Sequence, residues 1–284
     1  PGSPRPAGGG VMSGDGPFTL PVSGRRHGPP GDEGGDPAMT AAAPPDPHIR
    51  RHLTWDGCFN VRDLGGLGRH ATGAFVRADS VEKLTAAGWA AAHAHGVRTV
   101  LDLRNDDERG ADAAPRPDGI TTVRLPLDGI EDTAFWEPWF TDWRWGTPLH
   151  YRPFLDHFPE RVAATAEALA AAAPGGVAFH CAAGRDRTGL VSLLLLSLAG
   201  AAPEEIAADY ALSEARMTPV FTALGRAGEA AQLAAAYRSH ATSPYAEMLK
   251  VARRFDGAAY LAAAGVPGTT VAALRARATG QSRG

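Results

Sequence analysis

The chain has 284 residues, 44% hydrophobic and 21% charged, enough for one large or two small domains with a substantial buried core. A formal net charge of −3 excludes a basic field for nucleic acid, so any anion site must be built locally from a few positive groups. Two cysteines, Cys58 and Cys181, exclude a disulfide framework, and no CxxC or Cys/His cluster has zinc-ligand spacing, so neither metal nor cofactor is expected.

Residues 1–47 hold 11 of the 34 glycines and 11 of the 23 prolines and are expected to be a disordered leader, with Met12 and Met39 as candidate start residues. No signal peptide pattern is present. The longest apolar stretch, Leu190 to Ala202, contains two serines and falls short of the roughly 20 residues that span a bilayer. A cytoplasmic location without stable membrane insertion is the expectation.

From residue 48 to residue 275 the pattern changes to that of a folded domain, with 276–284 as a tail. "FNVRDLGGL" (Phe59 to Leu67) reads as a turn in which Arg62 and Asp63 form a structural ion pair ahead of Gly65 and Gly66. "AFVRA", "VRTVLDL", "TTVRLPL" and "GVAFHC" read as strands, the later ones apolar enough to be buried on both faces. "TAAGWAAAHAHG" reads as a helix ended by Gly96, and "FPERVAATAEALAAAAPGG" as another, ended by Gly175 and Gly176. This alternation argues for an α/β fold with a mainly parallel sheet covered by helices, whose ligands sit beyond the carboxyl ends of the strands. Asp102, at such an end, is a candidate either for proton donation or for pairing with a loop arginine, and Arg77 is a candidate pocket residue. The aromatic segment 135–158, with Trp139 and Trp143, reads either as a helical insertion packed on the domain or as an apolar wall beside the site.

The densest chemistry lies in "VAFHCAAGRDRTGLVSLLLL" (Val177 to Leu196). A buried strand ends at His180, the loop Cys181 to Arg187 turns, and an apolar helix follows at once. The loop therefore sits on a helix N-terminus, where unpaired N–H groups and the macrodipole favour an anion. Ala182, Ala183, Gly184 and Arg185 supply the curling backbone, with Gly184 free to adopt a conformation closed to other residues. Arg187 offers a planar fork that matches two phosphate oxygens. The same field favours the Cys181 thiolate, a nucleophile at the floor of a phosphate cradle. Asp186 is the loop's own candidate acid, and Thr188 a hydrogen-bond partner for the sulfur. His180 is expected to orient the loop.

"HCAAGRDRTG" resembles the His-Cys, five residues, Arg, Ser/Thr signature of the protein tyrosine phosphatases. It is most similar to the HCxxGKDRTG loop of the bacterial and fungal tyrosine/lipid phosphatases of the mycobacterial tyrosine phosphatase B type. "FNVRDLGGL", "AFVRADSVEKLT", "GVRTVLDLRNDDE" and "IAADYALSEAR" resemble further segments of that family, together covering roughly residues 55 to 265. The resemblance implies a phosphatase-like parallel sheet with helical insertions near the site and a metal-independent, cysteinyl-phosphate mechanism. It also implies a phosphorylated protein or phosphoinositide as substrate, and an acid at Asp186 inside the loop, in keeping with the absence of a Trp-Pro-Asp sequence. Where the family loop carries lysine, associated with phosphoinositides, this chain has Arg185, which keeps the charge on a wider fork. Two other classes share a cysteine in a ring of amides: a rhodanese-like sulfurtransferase, and a phosphate-binding module without turnover.

Overall fold

A computed structural model describes residues 51–140 and 142–281, so the leader expected over 1–47 and both candidate start residues lie outside the described part. The strands are β1 (Arg62–Asp63), β2 (Phe75–Ala78), β3 (Val97–Asp102), β4 (Thr121–Arg124) and β5 (Gly176–His180). They form one sheet in the order β1-β2-β5-β3-β4, antiparallel between β1 and β2 and parallel elsewhere. This is the α/β, mainly parallel sheet that the alternation of strands and helices predicts.

The helices among the described residues follow in chain order. α1 (Ala86–Ala94) precedes β3, and α2 (Thr133–Phe140), α3 (Tyr151–His157) and α4 (Pro159–Ala171) connect β4 to β5. α5 (Asp186–Leu198) leaves the end of β5, and α6 (Pro203–Ala211), α7 (Met217–Ala223), α8 (Glu229–Ser239), α9 (Pro244–Ala252), α10 (Gly257–Ala263) and α11 (Gly268–Ala278) complete the domain.

Side chains that alternate along a strand feed opposite faces of the sheet. Phe75, Leu101, Val177 and Phe179 enter a large core with α4, α5 and α11, while Val76, Val100 and Ala178 enter a smaller one with Trp55 and Trp89 of α1. Leu193 to Leu196 of α5 are fully buried, each contributing on the order of 2 kcal/mol of apolar burial. That burial on every side fixes α5 against β5, and with it the loop between them.

Local signals explain where elements start and stop. The Thr85 side chain accepts from Gly88 N at 3.2 Å to cap α1, and Gly96, at φ +96°, turns the chain out of it. α4 opens with Pro159 at its first position, where no N–H is needed. It stops at Ala171 rather than running to Gly175: Ala172 is already out of the helical region, at φ −55° and ψ 144°, ahead of the Ala173–Pro174 step that cannot resume a helix. β4, expected to be buried on both faces, is instead the sheet's edge: Thr121 and Arg124 are exposed, since only β3 flanks it. α11 runs through Ala278, which is fully buried, three residues past the 275 boundary read from the sequence. No helix among the described residues is long and apolar enough to cross a membrane.

Candidate active site

β5 delivers Cys181 to the carboxyl edge of the sheet, and the loop through Arg185 hands the chain to α5. Gly184 sits at φ +64°, and a Cβ there would stand 2.5 Å from Ala78 O and 2.6 Å from Asp79 N, so only glycine fits. The loop is held by its carbonyls. Ser80 N donates to Ala182 O at 3.1 Å, and Asn60 Nδ2 to Ala183 O at 3.1 Å and Gly184 O at 3.0 Å. Arg77 Nη2 donates to Gly184 O at 2.9 Å, and Gly189 N to Arg185 O at 2.7 Å. Among the described residues no N–H from Ala182 to Arg187 donates to a protein acceptor. Because each peptide unit is planar and trans, carbonyls held on one side send the N–H groups to the other. Six consecutive donors at the N-terminus of a helix make an anion cradle.

Cys181 is only 3% exposed, and Thr188 Oγ1 donates to its Sγ at 3.2 Å. His180 is fully buried behind it with Nδ1 at 3.3 Å from Cys181 O. Burial holds the His180 imidazole down to about 4, so it is neutral and Nδ1–H donates to that carbonyl, as a loop-orienting residue should.

Arg187 is aimed by a carboxylate the sequence reading did not single out. Its Nη2 donates to Glu108 Oε1 at 2.6 Å while Nη1 engages Glu108 Oε2 and lies 3.1 Å from Asp128 Oδ2. Burial opposes ionisation of Glu108, but the Arg187 fork outweighs it and holds this carboxyl below the usual range. Asp128 behaves oppositely. Burial pushes its carboxyl up to about 6, against the pull of Arg187 and with the help of Glu108.

Asp186 is engaged on several sides. Its Oδ1 accepts from Arg185 Nε and from Tyr210 OH, both at 3.0 Å, and its backbone oxygen accepts from Tyr151 OH at 2.6 Å. Burial pushes both tyrosine hydroxyls well up, so they remain donors. Gly189 is required here, since a Cβ would lie 2.5 Å from Tyr151 Oη. Arg185 also donates to Gly146 O, which ties the aromatic segment to the loop.

The other sequence-derived candidates are placed differently. Asp102 pairs with Arg104, two residues on, at 3.0 Å from Nε and 2.9 Å from Nη2, and lies 3.6 Å from Arg109 Nε; neither arginine belongs to the loop. Burial raises its carboxyl, but the Arg104 hydrogen bonds and nearby charges prevail and bring it down to about 2, too acidic to carry a proton at neutral pH. Arg77, read as a pocket residue, is fully buried behind the loop. Arg62 and Asp63 do not pair with each other: Arg62 binds Asp209, and Asp63 accepts from Gly65 N and Gly73 N and meets His95. In the aromatic segment Trp136 is buried in the main core, Trp139 lies under Arg144, and Trp143 stacks on His240 with ring centroids 4.0 Å apart. The insertion therefore packs on the domain and also borders the loop. Among the described residues no group of three or more His, Cys, Asp or Glu side chains is arranged to hold a metal.

A mainly parallel α/β domain thus sets a cysteine, a run of unpaired loop amides and an anchored arginine at the carboxyl edge of its sheet. The profile of the tyrosine phosphatase family matches residues 53–280, and the chain belongs to that family. Over 142 residues it is 36% identical to a tyrosine-protein phosphatase of Nostoc commune, covering 49% of this chain and 48% of the relative. Over 178 residues it is 30% identical to a protein of Cupriavidus necator bearing a tyrosine-protein phosphatase name, covering 59% of this chain and 64% of the relative. The chain thus spans about half to two thirds of the length of these relatives.

Proposed function

We propose that the protein is a cysteine-dependent phosphatase of phosphotyrosine in proteins, working through a cysteinyl-phosphate. The observation that carries this reading is the placement of Cys181 Sγ under the Thr188 hydroxyl, at the start of a run of unpaired loop amides closed by Arg187. The phosphate oxygens bind the N–H groups from Ala182 to Arg187 and the Arg187 fork, and Sγ attacks phosphorus opposite the ester oxygen. The P–O ester bond breaks as the leaving oxygen takes a proton. Water then attacks phosphorus and gives a proton to the carboxylate that served as acid in the first step, the P–S bond breaks, and the Thr188 hydrogen bond eases departure of the sulfur. Arg185, beside the cradle, adds positive charge that suits a dianion.

Asp186 is the proton donor inside the loop. A second reading gives that step to Asp128, and a specific observation favours it: burial keeps this carboxyl protonated to about pH 6 beside Arg187, whereas Asp186 already accepts from Arg185 and Tyr210.

The test is hydrolysis of p-nitrophenyl phosphate in EDTA by the wild type and by Cys181→Ser, followed by assay of phosphotyrosine peptides. Loss of turnover in Cys181→Ser with retained phosphate binding is expected. Activity that survives this substitution ends the mechanism. Thiosulfate-dependent thiocyanate formation points to sulfur transfer, binding without turnover to a phosphate-binding module, and preference for phosphoserine, phosphothreonine or phosphoinositide headgroups replaces the substrate class.

A further inference from the structure

Behind the loop, fully buried Asp209 of α6 is surrounded by three arginines: Arg51 Nη1 at 2.8 Å, Arg62 Nε at 3.0 Å and Arg77 Nη1 at 2.6 Å. One arginine is enough to neutralise one carboxylate, and burying two more is costly unless their remaining donors find partners. The other ends of two of them lead to the loop. Arg77 Nη2 donates to Gly184 O at 2.9 Å and Arg185 O at 3.4 Å. Arg62 Nη1 donates to Asn60 Oδ1 at 2.7 Å, and Arg62 Nη2 is fixed by Asp209 O at 2.6 Å and Ser213 Oγ at 3.0 Å.

The Arg62 contact decides which way the Asn60 carboxamide faces. With Oδ1 committed to a cation, only Nδ2 is left for the loop, and it reaches Ala183 O at 3.1 Å and Gly184 O at 3.0 Å. A flipped carboxamide would set its oxygen against two carbonyl oxygens. Asp79 completes the arrangement by accepting from Asn60 N at 2.9 Å. Two relays that start from one carboxylate thus converge on three consecutive loop carbonyls.

We infer that Asp209 is a positioning residue for the proposed phosphatase site: through Arg77, and through Arg62 and Asn60, it holds the carbonyls of Ala183, Gly184 and Arg185 away from the cradle and so aims the N–H groups of Gly184, Arg185 and Asp186 at the phosphate. Asn60, Arg62, Arg77 and Asp209 are each fully buried, so none of them touches substrate. Planar peptides transmit the constraint from carbonyl to amide without any further contact.

This inference rests on the phosphatase reading, and vanadate separates the two. Wild-type protein that neither hydrolyses p-nitrophenyl phosphate nor binds vanadate ends the phosphatase reading itself. Given an active wild type, Asn60→Ala and Arg77→Lys are each expected to weaken vanadate inhibition and lower kcat/KM by about ten-fold or more while remaining folded. Asp209→Asn is expected to lose at least as much, and adding Asn60→Ala to it to cost less than the two effects multiplied, since they share a relay. A residue that only supports the fold lowers Tm but leaves the inhibition constant of the folded molecules unchanged. Folded Asn60→Ala and Arg77→Lys proteins with wild-type vanadate inhibition overturn the inference, whether or not Asp209→Asn folds.

Discussion

Glu108 and Arg187 form a two-point ion pair in which both guanidinium Nη atoms meet both carboxylate oxygens, the Nη2 contact at 2.6 Å. Glu108 stands at the end of a short 3-10 turn after β3, and Arg187 in the first turn of α5. The pair therefore transmits the position of one loop at the sheet edge to the side chain proposed to grip phosphate.

Removing that brace should cost orientation rather than charge. Glu108→Ala leaves Arg187 cationic but held only at Nη1, by Asp128 at 3.1 Å, and a displacement of about 1 Å in a reacting group is worth about 10²-fold in rate. A fall of that order in kcat/KM for p-nitrophenyl phosphate, with the circular dichroism spectrum unchanged, is expected from steady-state kinetics. Wild-type kinetics in Glu108→Ala would show that Arg187 does not need the brace.

The pH profile separates the two carboxyl groups beside the cradle. A general acid is active only while protonated, so an acid at Asp128 gives kcat/KM, which titrates the free enzyme, a basic limb with a midpoint near the value of about 6 set by its burial. With the proton on Asp186, Asp186→Asn is expected to abolish the basic limb and Asp128→Asn to leave it in place. The opposite pattern, with that midpoint near 6, assigns the proton to Asp128.

Gly184→Ala tests the loop backbone directly. The substitution asks for φ +64° in a residue with a side chain and drives a Cβ to 2.5 Å from Ala78 O. The loop must shift, while α5 and its buried leucines stay. Activity at least about 10²-fold lower is expected, with thermal unfolding only modestly earlier.

Asp102 and Arg104 make stability depend on acid. The folded carboxyl titrates near 2, below an unfolded value near 4, so the pair's contribution is fully present above pH 4 and is lost as pH falls toward 2. It amounts to about 2 kcal/mol at this nearly buried site. Melting temperatures measured from pH 6 to pH 2 should show this loss in the wild type, and Asp102→Asn should be destabilised at pH 6 yet less sensitive to acid.

Read alone, the amino-acid order was sufficient for the α/β class, for four of the five strands and for α1, α4 and α5, and it marked the stretch from His180 to Thr188 as the candidate site. Those features are local: strand and helix periodicities are carried by neighbouring side chains, and the loop's cysteine, glycine and arginine occupy one short contiguous segment. It misjudged β4 as interior because apolar content does not say how many neighbours a strand has. It paired Arg62 with Asp63 by adjacency, whereas Asp209 on α6 is the partner in space. Asn60, Glu108 and Asp209 lie in segments that resemble the family, and Asp128 lies in none, but nothing in those segments says which side chain meets which; the crossover connections of a parallel sheet bring these distant segments to one edge. Which buried carboxylate meets which arginine, and hence which carboxyl keeps its proton, was decided by that packing, since charge and desolvation act through space and not along the chain.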